Sequence, residues 1–156
     1  MFFAVLTLLF GFGLGVVFGL NEATIKDRLK ASAQEVRTSV YHDDDALIKA
    51  ALDKSWSYTQ RAHLHAGGLG AAAVGLILVA ALIGGTTTLI RVVSLGLGAG
   101  GLGYSVYWLV AAFKLPGIGN STAVKESLAW LAIPSSGSFV AATFAVGVMI
   151  IAAMRR

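Results

Sequence analysis

The sequence predicts an all-α integral membrane protein with four transmembrane helices and an amphipathic helical hairpin outside the bilayer. Three observations carry that prediction. Of 156 residues, 56% are hydrophobic and only 13% charged, with a mean hydropathy of +0.77, far from the soluble norm. Four apolar stretches, residues 1–20, 66–83, 89–113 and 128–154, approach or exceed the length that spans a hydrocarbon core of about 30 Å at about 1.5 Å per helical residue. The charges gather between these stretches, in residues 21–65 and 114–127. The whole chain, residues 1–156, reads as a single four-helix membrane domain that includes the extramembrane segment 21–65.

Residues 1–20 are read as a retained transmembrane helix. They lack a basic n-region, exceed a usual signal-peptide h-region, and show no small-x-small cleavage site before Glu22. Gly11, Gly15 and Gly19 recur every four residues, a stripe along which a neighbouring backbone can approach closely. In residues 21–41, Ile25, Leu29, Ala33, Val36 and Val40 share one helical face, with Asn21 or Thr24 as the expected cap. His42, Asp43, Asp44 and Asp45 break the pattern, and an aspartate there is a good N-cap for the next helix. The hairpin is expected over residues 22–62, and its second arm runs on as one helix from water into lipid, past Trp56, Tyr58, Arg61, His63 and His65.

The second span, 66–83, is rich in Gly and Ala, and the polar turn Gly84, Gly85, Thr86, Thr87, Thr88 returns the chain antiparallel. The third span holds Gly96 and Gly100 at four-residue spacing and Tyr104, Tyr107 and Trp108 toward its end. A connection containing Pro116, Gly117, Gly119 and Asn120 leads to the fourth span. There Pro134 and Gly137 predict a kink, either a bend after an interfacial helix or a single kinked span. Arg155 and Arg156 close the sequence at the water.

This order of elements puts both termini and the Thr86 turn on one side. The other side carries nine of the twelve Lys and Arg residues, so the positive-inside rule predicts that segment 21–65 is cytoplasmic. All eight acidic residues share that side, a pattern that pulls against the rule. The composition resembles that of a bacterial inner (cytoplasmic) membrane protein. The net charge of +4 is spread as membrane-flanking Lys and Arg and gives no basic patch for nucleic acid.

The absence of cysteine removes disulfides, thiolate metal sites and cysteine nucleophiles together. His63 and His65, with His42, Asp43, Asp44 and Asp45, are the only residue types here that could ligate copper, zinc or haem. A two-residue step turns a helix by about 200°, so His63 and His65 point to opposite sides and do not chelate one ion. Three consecutive carboxylates at a helix start are more simply a solvated cap. The spans hold no ionisable residue apart from Arg91 at an edge, which leaves no proton relay or coupling charge. No catalytic activity of its own is expected.

Three functions fit these features. The first is a small accessory or structural subunit of a larger membrane complex, redox or metal-dependent, packing against larger subunits or copies of itself. The second is a metal- or haem-binding protein using His63 or His65. The third is a small transporter or channel at the Pro134 break.

Overall fold

The computed structural model describes residues 1–84 and 86–155; Gly85 of the predicted turn and the terminal Arg156 lie outside them. Every regular element described is helical: α1 (Phe2–Glu35), α2 (Arg37–Tyr41), α3 (Asp45–Leu82), α4 (Thr87–Ile118), α5 (Ser121–Ser127) and α6 (Ala129–Met154). Helices α1, α3, α4 and α6 are each long and apolar enough to cross a membrane.

The arms of the hairpin are not separate helices. They are the polar ends of α1 and α3, whose 34 and 38 residues reach about 51 and 57 Å at about 1.5 Å per residue, well beyond a core of about 30 Å. The junction in α1 is a kink at Asn21 (φ −127°, ψ 22°). Asn21 was an expected cap, but its Nδ2 donates back to the Val17 carbonyl at 3.2 Å, so it serves a continuing helix. The arms close on Ala33, Tyr41, Ile48 and Ala51, all buried, with Val36, Val40 and Leu52 packed beside them. At the tip, His42 and Asp43 take positive φ (51° and 63°). Asp44 then caps α3, its Oδ1 accepting from the Ala46 and Leu47 amides at 2.7 and 3.2 Å.

Helix α4 is central and packs on α1, α3 and α6, while α6 packs chiefly on α4. Small residues set these distances, because in lipid helices associate by close van der Waals contact rather than by hiding apolar surface from water. A Cβ on Gly11 would lie 2.7 Å from the Gly67 amide nitrogen of α3, and one on Gly98 only 2.6 Å from that of Ala4 in α1. On its opposite side, α4 offers Gly96 to Ala142 and Gly100 to the Ser135 carbonyl of α6, at 3.0 and 2.7 Å from the added Cβ. Gly19, expected in the α1 stripe, has open space where a Cβ would point. Four-residue steps drift by about 40° each around a helix, so Gly19 has rotated about 80° from Gly11.

Helix α6 runs without interruption through Pro134 and Gly137, where the kink was expected. The chain leaves helical geometry earlier, at Leu128 (φ −113°, ψ 8°), between α5 and α6. Pro134 sits in the second turn of α6 with an exposed ring, past the first turn where proline is tolerated, so the Trp130 carbonyl loses its amide partner, yet the helix runs on.

Candidate functional site

The two histidines at the foot of the apolar part of α3 serve different neighbours. His63 turns to α1, where its Nδ1 donates to the Gly11 carbonyl at 2.8 Å. The ring fits there because Gly15 has no side chain: a Cβ would lie 2.8 Å from His63 Cε1. His65 turns to α4. Its Nδ1 donates to the Arg61 carbonyl at 2.7 Å, and its ring stacks on Trp108 at 6.1 Å and meets Tyr104 edge-on at 5.2 Å. Since a carbonyl only accepts, both rings carry their proton on Nδ1.

The other ligand candidates lie elsewhere. His42 is at the hairpin tip, separated from His65 by about 30 Å of α3 at about 1.5 Å per residue. Asp44 is occupied as the cap, and Asp43 and Asp45 both pair with Arg37, at 3.2 and 2.8 Å. The Arg37 guanidinium is held more firmly charged by Asp45 first and Asp43 second. No group of three His, Asp or Glu side chains among the described residues comes together to hold a metal ion.

What the chain does assemble is an aromatic and cationic corner where α3, α4 and α5 meet. Tyr58, Arg61 and His65 fall at i, i+3 and i+7 on one face of α3. They face Tyr104, Tyr107 and Trp108 of α4, over a floor that includes Val124 and Leu128. Tyr58 meets Trp108 edge-on at 4.9 Å, and Tyr104 stacks on Tyr107 at 5.7 Å. The Arg61 guanidinium lies 5.0 Å from the Trp108 ring and 5.6 Å from Tyr58. From α5, Lys125 Nζ lies 5.9 Å from the same Tyr58 ring.

Two polar atoms in this corner are buried without a hydrogen-bond partner, Tyr58 Oη and Trp108 Nε1, in residues only 1% and 7% exposed. A buried orphan of this kind costs about 1–3 kcal/mol, whereas an exposed cation–π contact returns about 0.5–1 kcal/mol. This corner was missed from sequence, although the three- and seven-residue steps from Tyr58 to Arg61 and His65, and the four-residue step from Tyr104 to Trp108, are signals for it. Residue order could not show Lys125, which reaches the corner only because α5 folds back beneath α4.

The serines around Pro134 are engaged in contacts within and between helices. Ser135 is buried against Gly100 and Gly103, and the Ser136 and Ser138 hydroxyls donate to Ala132 and Ser135 carbonyls of their own helix at 2.7 and 3.0 Å. Elsewhere in the bundle, the Thr7 hydroxyl shares its one proton between the Phe3 carbonyl of its own helix at 2.7 Å and the Gly98 carbonyl of α4 at 3.0 Å, and Ser55 donates to the Ala112 carbonyl. These hydroxyls, with His63, join one helix to another.

No protein-family model, curated protein or solved structure matches this chain.

Proposed function

We propose that the chain is a small non-catalytic accessory subunit, embedded in a bilayer by α1, α3, α4 and α6, that packs against larger membrane subunits through the outer face of α3. The observation that carries this reading is a contrast between outer surfaces. Helix α1 turns Val5, Leu9, Phe12 and Val16 outward, and α6 turns Val140, Phe144, Val148 and Ile151 outward, large side chains suited to lipid. Helix α3 exposes large side chains only toward the ends of its apolar part, at Leu64, Leu78 and Leu82, and between Leu64 and Leu78 its outer face is Gly68, Ala71, Ala72 and Gly75. Small residues give lipid nothing, but they let another helix approach closely enough for backbone van der Waals contact.

Two further features support a packing role. The inward hydroxyls and His63 are engaged in helix contacts, and no metal-binding group forms among the described residues. The hairpin, carrying most of the charge, stands in water on the cytoplasmic side by the Lys and Arg count.

The test is purification from the native membrane in mild detergent, with mass spectrometry of accompanying proteins and metal and haem analysis on the same sample. Large subunits in fixed ratio, lost when Gly68→Leu and Ala72→Leu are introduced together, are expected. A monomer without companions, or companions indifferent to that double substitution, would sink the reading. Haem or metal retained by the isolated chain would do so too.

A further inference from the structure

We infer that the corner formed by Tyr58, Arg61, Trp108 and Lys125 binds a phosphate group, presented by an anionic phospholipid headgroup. The inference rests on the membrane reading above, which sets the depth of the corner. Arg61 and His65 immediately precede the uncharged part of α3, Trp108 lies within two turns of Lys114, where the uncharged part of α4 ends, and α5 follows α4 directly. If residues 66–82 cross the hydrocarbon, all these groups stand at headgroup level, where aromatic rings and long cationic side chains are favoured.

The charges and donors match one another. Arg61 and Lys125 both lie over Tyr58, and neither forms an ion pair with a carboxylate among the described residues, although Glu126 is adjacent in sequence to Lys125. Beneath them are two unpartnered groups, the indole N–H of Trp108 and the hydroxyl of Tyr58. A core that buries donors normally satisfies them, and a packed aromatic cluster gains nothing from leaving them bare. Arg61 and Lys125 are exposed, flexible side chains held over the rings only by cation–π contact. An anion that draws them outward has still to open a way to these donors, which are closed to solvent here. A phosphodiester then supplies what the corner lacks: oxygen acceptors for the N–H and O–H groups and negative charge for two unpaired cations. The same two cations repel a choline group, so the corner selects an anionic headgroup over a zwitterionic one.

The experiment uses the full chain in detergent, incubated with phosphatidylglycerol, phosphatidylcholine or inorganic phosphate, with native mass spectrometry reading the retained ligand. Phosphatidylglycerol is expected to stay, one lipid per chain, on the order of tenfold more tightly than phosphatidylcholine. The double variant R61Q/K125Q is expected to erase that preference, while Arg28→Gln, an exposed cation of the hairpin, leaves it intact. Trp108→Phe keeps the ring packing, removes the N–H and is expected to weaken retention severalfold. Equal retention of the two lipids, or a preference unchanged in R61Q/K125Q, would overturn the proposal. Displacement of the lipid by millimolar inorganic phosphate would overturn the headgroup as the source. Release of the chain from membranes by alkaline carbonate would instead overturn the membrane reading, independently of the lipid measurement.

Discussion

At Gly11 and Gly19 one residue type in one predicted stripe meets two environments, so a single added methyl separates them. Gly11→Ala places Cβ 2.7 Å from the backbone nitrogen of Gly67, which has no rotamer to relieve the clash, so α1 and α3 must part. The expected cost is about 1–3 kcal/mol, in the range of overpacking. Gly19→Ala meets nothing within 4 Å and is expected to be neutral or to stabilise α1 by up to about 1 kcal/mol through helix propensity. Thermal unfolding of the two variants in one detergent checks both, and equal melting temperatures would refute the packing assignment. Gly15→Ala is expected to fall between Gly11→Ala and Gly19→Ala, because its Cβ meets the His63 ring, a side chain that can turn aside at the loss of its bond to the Gly11 carbonyl. The cap at Asp44 and the opposed directions of His63 and His65 were legible in the sequence, since both follow from local helix geometry. The acceptor for His63 was not legible, because it depends on the register of α1 against α3.

Among elements, the tie between hairpin and bundle is carried by Tyr41, whose buried hydroxyl donates to the Pro116 carbonyl at 2.6 Å. That carbonyl is in the last turn of α4, where the helix has no amide left to offer it, so a side chain from α2 completes the end of α4. Tyr41→Phe is expected to cost about 1 kcal/mol and to loosen the hairpin rather than the spans. Burial raises the Tyr41 pKa above its ordinary 10.0. Up to about pH 10 the phenol is neutral folded or unfolded; above that, the unfolded chain ionises first, so this contribution fades as pH rises through the folded pKa. The melting-temperature advantage of the native chain over Tyr41→Phe is therefore expected to hold at pH 8 and shrink at pH 11. An advantage that grows with pH would contradict the sign. The amphipathic stripe from Ile25 to Val40 made the hairpin readable, and the run of its second arm into α3 was readable too, but the joining of its first arm to α1 across the Asn21 kink was not. Asn21 looks like a cap in sequence, and only its bond to Val17 shows the helix continuing. Pro134 misled for the opposite reason: α6 continues through it although its ring nitrogen cannot bond the Trp130 carbonyl.

The arrangement of the whole molecule was legible in outline because hydropathy counts the spans, and the end-to-end pairing of elements adds what hydropathy leaves open. Met1, Phe2 and Phe3 border Ile90 and Arg91, and Gly84 and Thr86 border Ala152 and Ala153, so both termini and the α3–α4 turn share one end. At the other end Val40 and Tyr41 border Gly119 and Ser121, which joins the hairpin to the α4–α5 connection. What sequence could not show is that α6 leans on α4 beside a tighter group of α1, α3 and α4, since that choice is made by the two glycine faces of α4. The chain has no cysteine, so single substitutions report position without background. His42→Cys and Thr122→Cys, both at exposed positions, are expected to react with a membrane-impermeant maleimide from one side of sealed vesicles, and Thr88→Cys and Met154→Cys from the other. On the positive-inside rule, the first pair is expected to be the cytoplasmic one. Labelling of His42→Cys and Thr88→Cys from the same side would break the four-span arrangement, because α3 lies between them and is the helix that must cross. Opposite labelling with the first pair outside would keep the spans and invert the orientation. The phosphate corner, next to the hairpin, would then face the outer leaflet.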